Sequence, residues 1–394
     1  FYLNNSDPSA RFSDTNISKW LSQNTLTYER SIDKHNITVL GGITAEKSTT
    51  TTKRISNRVE AGVNTGINPY LLINTPSALI TSNNEFSQWS LYSLFTRVQY
   101  DFDNKYLLSV AMRGDASSRF GANNRWGYFP SASVGWRLSE EEFIKSLGWI
   151  SELKIKGSYG LTGNNGIGNY EQYSQIEPDY YVLGSPATLQ NGTKPQGVAN
   201  PDLRWETTAM LNVGINASFV NNKYGFSVEA YDSEISDILL NVPVPQTTGF
   251  GSARQNIGRV NNRGIEAAIY TNQKIGDLNI SINGNYAVNQ NKVLSLGPED
   301  ADIIVTNGTG HAYFLTRVGQ PVGSYFVLVQ DGIFESEDEL SKYPHTPSTR
   351  PGDFKFVDVD GDGIIERDED RMIVGNYVPD FTYAFGTSLK YKGL

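Results

Sequence analysis

Residues 211–231 read LNVGINASFVNNKYGFSVEAY and contain two strands joined by a tight turn. From 211 to 219, large apolar residues alternate strictly with Asn, Gly and Ser, which is the period of two that a β-strand requires. The turn at 221–223 is followed by the same alternation from 224 to 231. Because one face of this hairpin suits lipid and the other suits water, the pattern predicts the wall of an antiparallel transmembrane β-barrel.

The same alternation recurs along the chain. We predict roughly eleven strands, each about nine to eleven residues long or a little longer. Besides the two above, they cover residues 21–30, 37–43, 94–102, 106–112, 128–137, 153–161, 265–269, 278–288 and 381–391.

The connections alternate between short and long. Short turns follow residues 103, 221 and 271, whereas long segments occupy 162–206, 233–262 and 290–378. Outer-membrane barrels place short turns in the periplasm and long loops outside the cell, so we expect these three segments to be extracellular loops.

One longer connection, from 139 to 151, falls on the short-turn side. It has Ser139 and Glu142 at capping-box spacing, which predicts a brief helix.

The composition excludes several classes of protein. Hydrophobic residues make up 38% of the chain and the mean hydropathy is -0.39, with no apolar run of the roughly twenty residues that a membrane helix needs. Cysteine is absent, which excludes disulfides and a thiolate nucleophile. The net charge of -9 disfavours a nucleic-acid partner, which needs a basic face. The 22 Tyr, 18 Phe and 6 Trp residues suit the aromatic belts of a barrel in contact with outer-membrane lipid.

No local pattern predicts catalysis. His35, His311 and His345 are far apart in sequence, and no Gly-x-Ser-x-Gly elbow occurs. A glycosidase needs two carboxylates across a cleft, and no pattern selects such a pair here. We therefore expect the protein not to be an enzyme.

A soluble propeller or sandwich is the main alternative fold, since it also alternates along its strands. Strands in such proteins are usually shorter, about five to six residues. The Asn and Ser residues that fill one whole face also suit a wet lumen better than a packed core.

Several blocks of the chain resemble the SusC/RagA-type TonB-dependent transporters of the Bacteroidetes outer membrane. The resemblance covers about residues 90 to 394, whereas residues 1 to 90 are similar mainly in the alternating pattern of their strands. The first blocks are Arg113-Gly114-Asp115, Ser117-Ser118-Arg119-Phe120-Gly121, residues 124–131 and Gly135-Trp136-Arg137. The later blocks are residues 157–164, 200–206, 256–259, 262–266 and 353–386.

The resemblance implies a 22-stranded barrel with a plug domain in its lumen, of which residues 1–394 would be a partial barrel domain. The plug, the segment that contacts the TonB complex and the final strand would lie outside this chain. It also implies a SusD-like surface lipoprotein as partner, and TonB-driven import of a glycan or peptide. A passive porin and a soluble or surface carbohydrate-binding or adhesion protein are the alternatives.

An acidic loop precedes the last predicted strand. Asp358, Asp360, Asp362 and Gly363 follow the spacing of a calcium loop. The remaining predicted ligands are the carbonyl of Ile364 and the carboxylates of Glu366 and Glu369, with Asp370 as the alternative to Glu369. The flanking residues look extended rather than helical, which disfavours a calcium sensor. Calcium that rigidifies the loop and a metal-free Gly/Asp turn are both open interpretations.

The blocks that carry the resemblance also contain arginines and aromatic residues that suggest a binding role. Arg113, Arg119 and Arg125 are candidates to bind a carboxylate or an acidic sugar, but pairing with lumenal carboxylates such as Asp115 is the favoured interpretation. An aromatic girdle at the membrane interfaces similarly explains most of the candidate sugar platforms. These platforms are Trp126, Trp136, Tyr159 and Trp205.

Overall fold

The computed structural model describes residues 9–58, 80–306, 313–366 and 369–392, in which strands are the main secondary structure. The strands are β1 (Ser9–Ile32), β2 (His35–Arg58), β3 (Ile80–Phe102), β4 (Tyr106–Ser117), β5 (Trp126–Arg137), β6 (Ile150–Asn164), β7 (Ile176–Leu183), β8 (Thr188–Pro195), β9 (Glu206–Phe219), β10 (Tyr224–Pro243), β11 (Ser252–Ile275), β12 (Leu278–Ser295), β13 (Ile303–Thr306), β14 (Tyr313–Thr316), β15 (Ser324–Leu328), β16 (Gln330–Ile333), β17 (Phe354–Phe356), β18 (Arg371–Gly375) and β19 (Thr382–Tyr391). Two single-turn helices are α1 (Glu142–Lys145) and α2 (Glu337–Leu340), and 3-10 turns occupy Leu138–Glu140 and Gln246–Thr248.

Eleven strands form one antiparallel sheet in the order β1-β2-β3-β4-β5-β6-β9-β10-β11-β12-β19. Consecutive strands of this sheet pair as hairpins, which is the order of an up-and-down barrel wall. The count agrees with the prediction from the sequence, but most strands are longer than predicted, up to 24 residues in β1, β2 and β11. In β2 the extra length comes from threonines at 49–52, whose branched side chains favour strand without an apolar alternation.

The two faces of the sheet differ in polarity. Val134, Gly157, Val213, Ala230 and Ile265 lie in register across five successive strands, and they form an apolar row. The neighbouring register positions on the other face are polar, and they include Lys156, Asn212 and Glu229. This division matches a barrel wall whose outer face meets lipid and whose inner face meets water.

Aromatic side chains mark both ends of the apolar face. At one end Trp136 stacks on Tyr106 with ring centroids 6.2 Å apart, and at the other Trp126 stacks on Tyr128 at the same distance. Trp126 and Trp136 are ten residues apart on β5, or about 33 Å along a strand. A strand tilt of about 40° reduces this to about 25 Å of height, the thickness of the apolar band of a transmembrane barrel.

The two ends of the sheet have different connections. Tight turns reverse the chain at 33–34, 103–105, 220–223 and 276–277, and Asp33, Asp103, Asn104, Asn221 and Asn222 adopt positive φ there. We call this the turn end and the opposite side the loop end.

At the loop end, the segment 165–205 contains the β7-β8 hairpin, and the segment 296–381 contains two small sheets, β13-β14-β15-β18 and β16-β17. Residues 233–262, expected as a long loop, are largely strand. β10 continues to Pro243 and β11 begins at Ser252, so only 244–251 connects them. The β-branched and apolar residues between Ile235 and Val242 favour this extension of the ladder.

The helix expected between 139 and 151 is present as α1, but the expected capping box was wrong. α1 begins after Glu141, and no side chain caps its first turn. Ser139 belongs to the preceding 3-10 turn, where its hydroxyl is buried without a hydrogen-bond partner. The side chain of Glu141 accepts hydrogen bonds from Tyr106 and Trp136, which fixes the connection to the sheet. Within the described ranges, no helix is long and apolar enough to cross a membrane.

The assignment of the two faces predicts an asymmetric response to a charge. In the full-length protein in liposomes, Val213→Arg should reduce the free energy of unfolding by about 2–4 kcal/mol, because the charge enters the apolar band. The matched control Asn212→Arg faces the polar side of the same strand and should cost less than 1 kcal/mol, roughly. Urea titration measures both, and equal losses would contradict the assignment.

Candidate functional site

Arg119 connects three parts of the loop end. Its guanidinium lies 5.0 Å from the ring centroid of Trp89, donates to Asn169 Oδ1 at 3.0 Å and donates to the carbonyl of Asn165 at 2.9 Å. Asn169 in turn donates to Ser87 Oγ on β3. Burial lowers the pKa of Arg119 from its ordinary value. This arginine therefore anchors the segment that follows β6 to β3.

A small apolar cluster lies beside this arginine. Phe120 and Leu203 are fully buried, and Trp205 is 7% exposed and donates from Nε1 to the carbonyl of Arg125 at 2.9 Å. A side chain at Gly121 would collide with the carbonyl oxygen of Pro201, so close packing requires glycine there. The other members are Phe129, Ile167 and Leu239. Trp205 is thus a core residue of the loop end, rather than a girdle residue or an exposed sugar platform.

Arg113 pairs with Asp115, which is the interpretation that the sequence favoured. Its Nε donates to both carboxylate oxygens of Asp115 at 2.7 and 2.9 Å, and Nη2 donates to Ser93 Oγ at 3.0 Å. Arg125 is exposed, and within the described residues its side chain has no hydrogen-bond or ion-pair partner. The three arginines have separate environments, so the structure does not unite them in one anion site.

The inner face of the sheet offers a charged, water-compatible surface nearer the turn end. A cavity of about 490 Å³ lies against Lys154, Lys156, Asn212 and Glu229. Lys156 and Glu229 form an ion pair between β6 and β10. Both signs of charge are present, so this face can contact polar groups of a solute or of another protein segment.

The carboxylates of the acidic loop accept hydrogen bonds from backbone amides of the same loop. Asp358 accepts hydrogen bonds from the amides of Gly361 at 2.7 Å and Gly363 at 2.9 Å, and both glycines have positive φ. Carboxylate oxygens of Asp358, Asp360 and Asp362 lie within 4.8 Å of one another. Among the described residues, no lysine or arginine pairs with these three carboxylates. Convergent hard oxygen donors of this kind suit Ca²⁺ or Mg²⁺.

Asp370 and Glu369 have different roles in this loop. Asp370 is 1% exposed, and its carboxylate accepts from the amides of Val359 at 2.7 Å and Glu366 at 2.6 Å, so it closes the loop internally. Glu369 is exposed, and the nearby charges of Glu366 and Asp360 raise its pKa. Of the two alternatives for the last ligand, the geometry favours Glu369, because its side chain is exposed near Asp360, whereas the carboxylate of Asp370 is buried.

The structure brings together only part of the predicted ligand set. Asp358, Asp360 and Asp362 form the converging group, and Glu369 lies near enough for the charge of Asp360 to act on it. Ile364 and Glu366 belong to the same loop but not to that group.

The long connection between β12 and β19, residues 296–378, which we call the insertion, carries the negative charge of the chain. Residues 296–378 contain sixteen of the 42 acidic residues and only six of the 33 basic residues. The insertion therefore carries a formal charge of -10 against -9 for the whole chain, and the remaining wall is close to neutral. Local contacts moderate this charge: Arg317 pairs with Asp302, which raises the pKa of Arg317, and Lys355 pairs with Glu339.

Some residues of the site were not predictable from the sequence. Asp370 was considered only as a ligand, and its role in closing the loop depends on amides eleven and four residues away. Arg371 was not singled out, yet its guanidinium carbon lies 3.2 Å from the ring centroid of Tyr313. Nothing in the sequence indicated a role for Trp89 or Asn169, because their partner Arg119 is far away in sequence.

Comparison with known proteins places these features in a family. Residues 1–324 match the family described as TonB dependent receptor-like, beta-barrel. TonB-dependent receptor P3 of Formosa agariphila is 31% identical over 400 residues, an alignment that covers 97% of this chain and 38% of that protein. TonB-dependent receptor SusC of Bacteroides thetaiotaomicron is 30% identical over 315 residues, with 77% of this chain and 30% of that protein covered. The chain thus spans well under half the length of these relatives.

Solved structures show the same fold. The RagAB peptide transporter has a TM-score of 0.81 at 24% identity, with 98% of this chain and 40% of that chain covered. The outer membrane transporter YddB from Escherichia coli has a TM-score of 0.53 at 11% identity, with 79% and 39% covered.

The contacts of Arg119 predict a local loss of stability on mutation. In the full-length protein, Arg119→Ala should destabilise the segment 165–175 by about 1–3 kcal/mol, because two hydrogen bonds to a cation and a cation–π contact are lost. Amide hydrogen exchange there should accelerate about fivefold to 150-fold. The exposed Arg125→Ala is the matched control and should leave exchange nearly unchanged. Unchanged exchange in Arg119→Ala would contradict the anchoring role.

Proposed function

The chain belongs to the TonB-dependent receptor-like β-barrel family, and from this membership we propose that the full-length protein imports oligosaccharides or peptides across the outer membrane, with a SusD-like surface lipoprotein as partner. The barrels of this family lie in the bacterial outer membrane, and the family consists of receptors and transporters rather than enzymes. The eleven strands of this chain are part of such a barrel.

The observation that carries the proposal is the wall itself. Its polar inner face, Lys156 and Glu229 included, suits a path for water-soluble solutes, and its apolar outer face suits lipid. The comparisons support import as the function, since one relative is the TonB-dependent receptor SusC and one structural neighbour is the RagAB peptide transporter.

In the proposed mechanism, the loop end and the lipoprotein capture the substrate together. The TonB complex then displaces a plug so that the substrate passes along the polar wall. The contribution of this chain is the wall and the anchored loop end, where Arg119 and the cluster around Phe120 hold the connections in place. A rigid loop end lowers the entropic cost of ordering loops when a partner docks.

A passive porin is the second candidate, because its wall has the same two faces. Uptake in isogenic strains with and without TonB separates the two functions. We expect uptake to require TonB, and we expect a lipoprotein to co-purify with the full-length receptor from the outer-membrane fraction. TonB-independent uptake by a receptor that purifies alone would support the porin instead.

We also propose that the acidic loop binds calcium. The supporting observations are the convergence of Asp358, Asp360 and Asp362 and the closure of the loop by Asp370. Glu369 is the expected additional carboxylate ligand, and Ile364 and Glu366 would complete the set through a carbonyl and a carboxylate. Calcium would offset the repulsion between these carboxylates and hold the loop rigid.

Calcium binding predicts local protection from exchange. If the dissociation constant is about 10⁻⁴ to 10⁻³ M, as in extracellular calcium modules, 10 mM calcium should slow amide exchange at 358–366 by roughly tenfold to a hundredfold relative to a chelator. The double variant D360N/D362N should lose this effect. The control Asp338→Asn, at an exposed acid of α2, should retain it. Equal exchange with and without calcium in the natural sequence would refute the proposal.

A further inference from the structure

The insertion contains a second cavity, which is lined by no strand of the wall and which borders the acidic loop at Ile365. It has a volume of about 500 Å³, which is within the range of small-ligand pockets. We call it the insertion pocket and define it by Phe354, Phe356, His345, Ser348, Asp353 and Arg371. These residues lie between the end of β16 and the first residue of β18, beyond residues 1–324, the range over which the family description matches.

The rim of the insertion pocket is built from two consecutive turns. Thr349 donates its amide to the carbonyl of Thr346 at 3.0 Å, and Asp353 donates its amide to the carbonyl of Arg350 at 3.0 Å. Pro347 and Pro351 occupy the second positions of these turns, where a fixed φ favours the turn. Gly352 has a φ of +98°, which the second turn requires. The rim is therefore ordered before any ligand arrives.

The floor of the pocket is aromatic and apolar. Phe354 is 54% exposed, and its ring lies 6.3 Å from that of Phe356 in an edge-to-face arrangement. Phe334 and Ile365 also line the pocket, and both are buried. A half-exposed phenyl ring on a rigid strand can receive the apolar face of a flat ligand.

Several short polar side chains surround this floor. The hydroxyls of Thr346, Ser348 and Thr349 form one hydrogen-bonded group with distances of 2.9 and 3.2 Å. His345 Nδ1 lies 2.9 Å from the carbonyl of Tyr343, so Nδ1 carries the proton and Nε2 is left as an acceptor in the neutral ring. Asp353 uses Oδ2 to accept from the amide of Arg350, and its Oδ1 adds a second acceptor.

This combination fits a sugar better than a peptide. A pyranose ring presents an apolar face of C–H groups and an edge of hydroxyls, and each hydroxyl both donates and accepts. A peptide needs backbone amides and carbonyls as partners. The rim amides of Thr346, Thr349, Arg350 and Asp353 are already bound within the turns.

We propose that the insertion pocket binds one or two neutral sugar residues of an oligosaccharide, with Phe354 as the stacking platform and Ser348, His345 and Asp353 as hydrogen-bonding groups. The proposal deepens the proposed function by selecting a glycan as the substrate class, and it rests on that function for its role in uptake. The binding itself requires neither the TonB complex nor the lipoprotein, so the two can be tested separately.

The test is ligand-observed saturation-transfer NMR on the purified full-length receptor in detergent. The probes are malto-, cello-, laminari-, xylo- and mannotetraose, with tetraalanine as the peptide probe. We expect at least one tetrasaccharide to bind through its ring protons and tetraalanine not to bind. Phe354→Ala should weaken sugar binding at least tenfold and Ser348→Ala about threefold, whereas the exposed control Tyr180→Ala on β7 should bind as the natural sequence does.

Three outcomes would overturn the proposal: no tetrasaccharide binds, tetraalanine displaces the bound sugar, or both pocket variants bind sugar normally. Heat-modifiable migration of each variant checks that the barrel has folded, and Ser348→Ala, which removes one exposed hydroxyl, covers the case in which Phe354→Ala does not fold. Normal binding together with TonB-independent uptake would refute the import mechanism while leaving the sugar site intact.

Discussion

The structure depends on one constraint: in lipid, every backbone amide and carbonyl must find its partner within the protein. The eleven-stranded ladder meets this constraint between strands, from β1 to β19. These two strands are the edges of the sheet, and an open edge is not tolerated in the hydrocarbon region, so both edges must pair with further strands of the barrel. Because the backbone is fully used in the ladder, the side chains alone distinguish the faces, and a strict alternation of polarity follows.

Where the ladder ends, side chains take over the role of the backbone hydrogen bonds. The irregular connections at the loop end carry amides and carbonyls outside the ladder, and Arg119 and Trp205 each donate to one of these carbonyls. Burying an arginine is costly, but stacking on Trp89 and two hydrogen bonds compensate for the lost water. The loop end thereby gains a fixed shape, which suits docking of a partner better than mobile loops would.

The sequence predicted those features that depend on local pattern. The period of two located all eleven strands, and Asp103 and Asn221 located two of the tight turns, because both signals lie within a few residues. The turn expected at residue 271 lies at 276–277, since β11 continues to Ile275. Features that depend on distant partners were not predictable. Trp205 is buried by Phe120 and Phe129, which come from the connection after β4 and from β5. The extension of β10 to Pro243 requires β11 opposite it, and Asp370 closes its loop only once Val359 lies beside it.

The insertion concentrates negative charge in a segment that must nevertheless fold, and such charge opposes compaction. Internal hydrogen bonds in the acidic loop offset part of this charge repulsion, and a bound cation would offset more of it. Its role would be stiffening rather than sensing, because β17 and β18 flank the loop where a sensor has two helices that change their angle. Ile365 from this loop and Arg371 from β18 also contribute to the insertion pocket. A stiff acidic loop would therefore preserve the shape of the sugar site, so the two proposals share one physical basis: a rigid surface held outside the barrel.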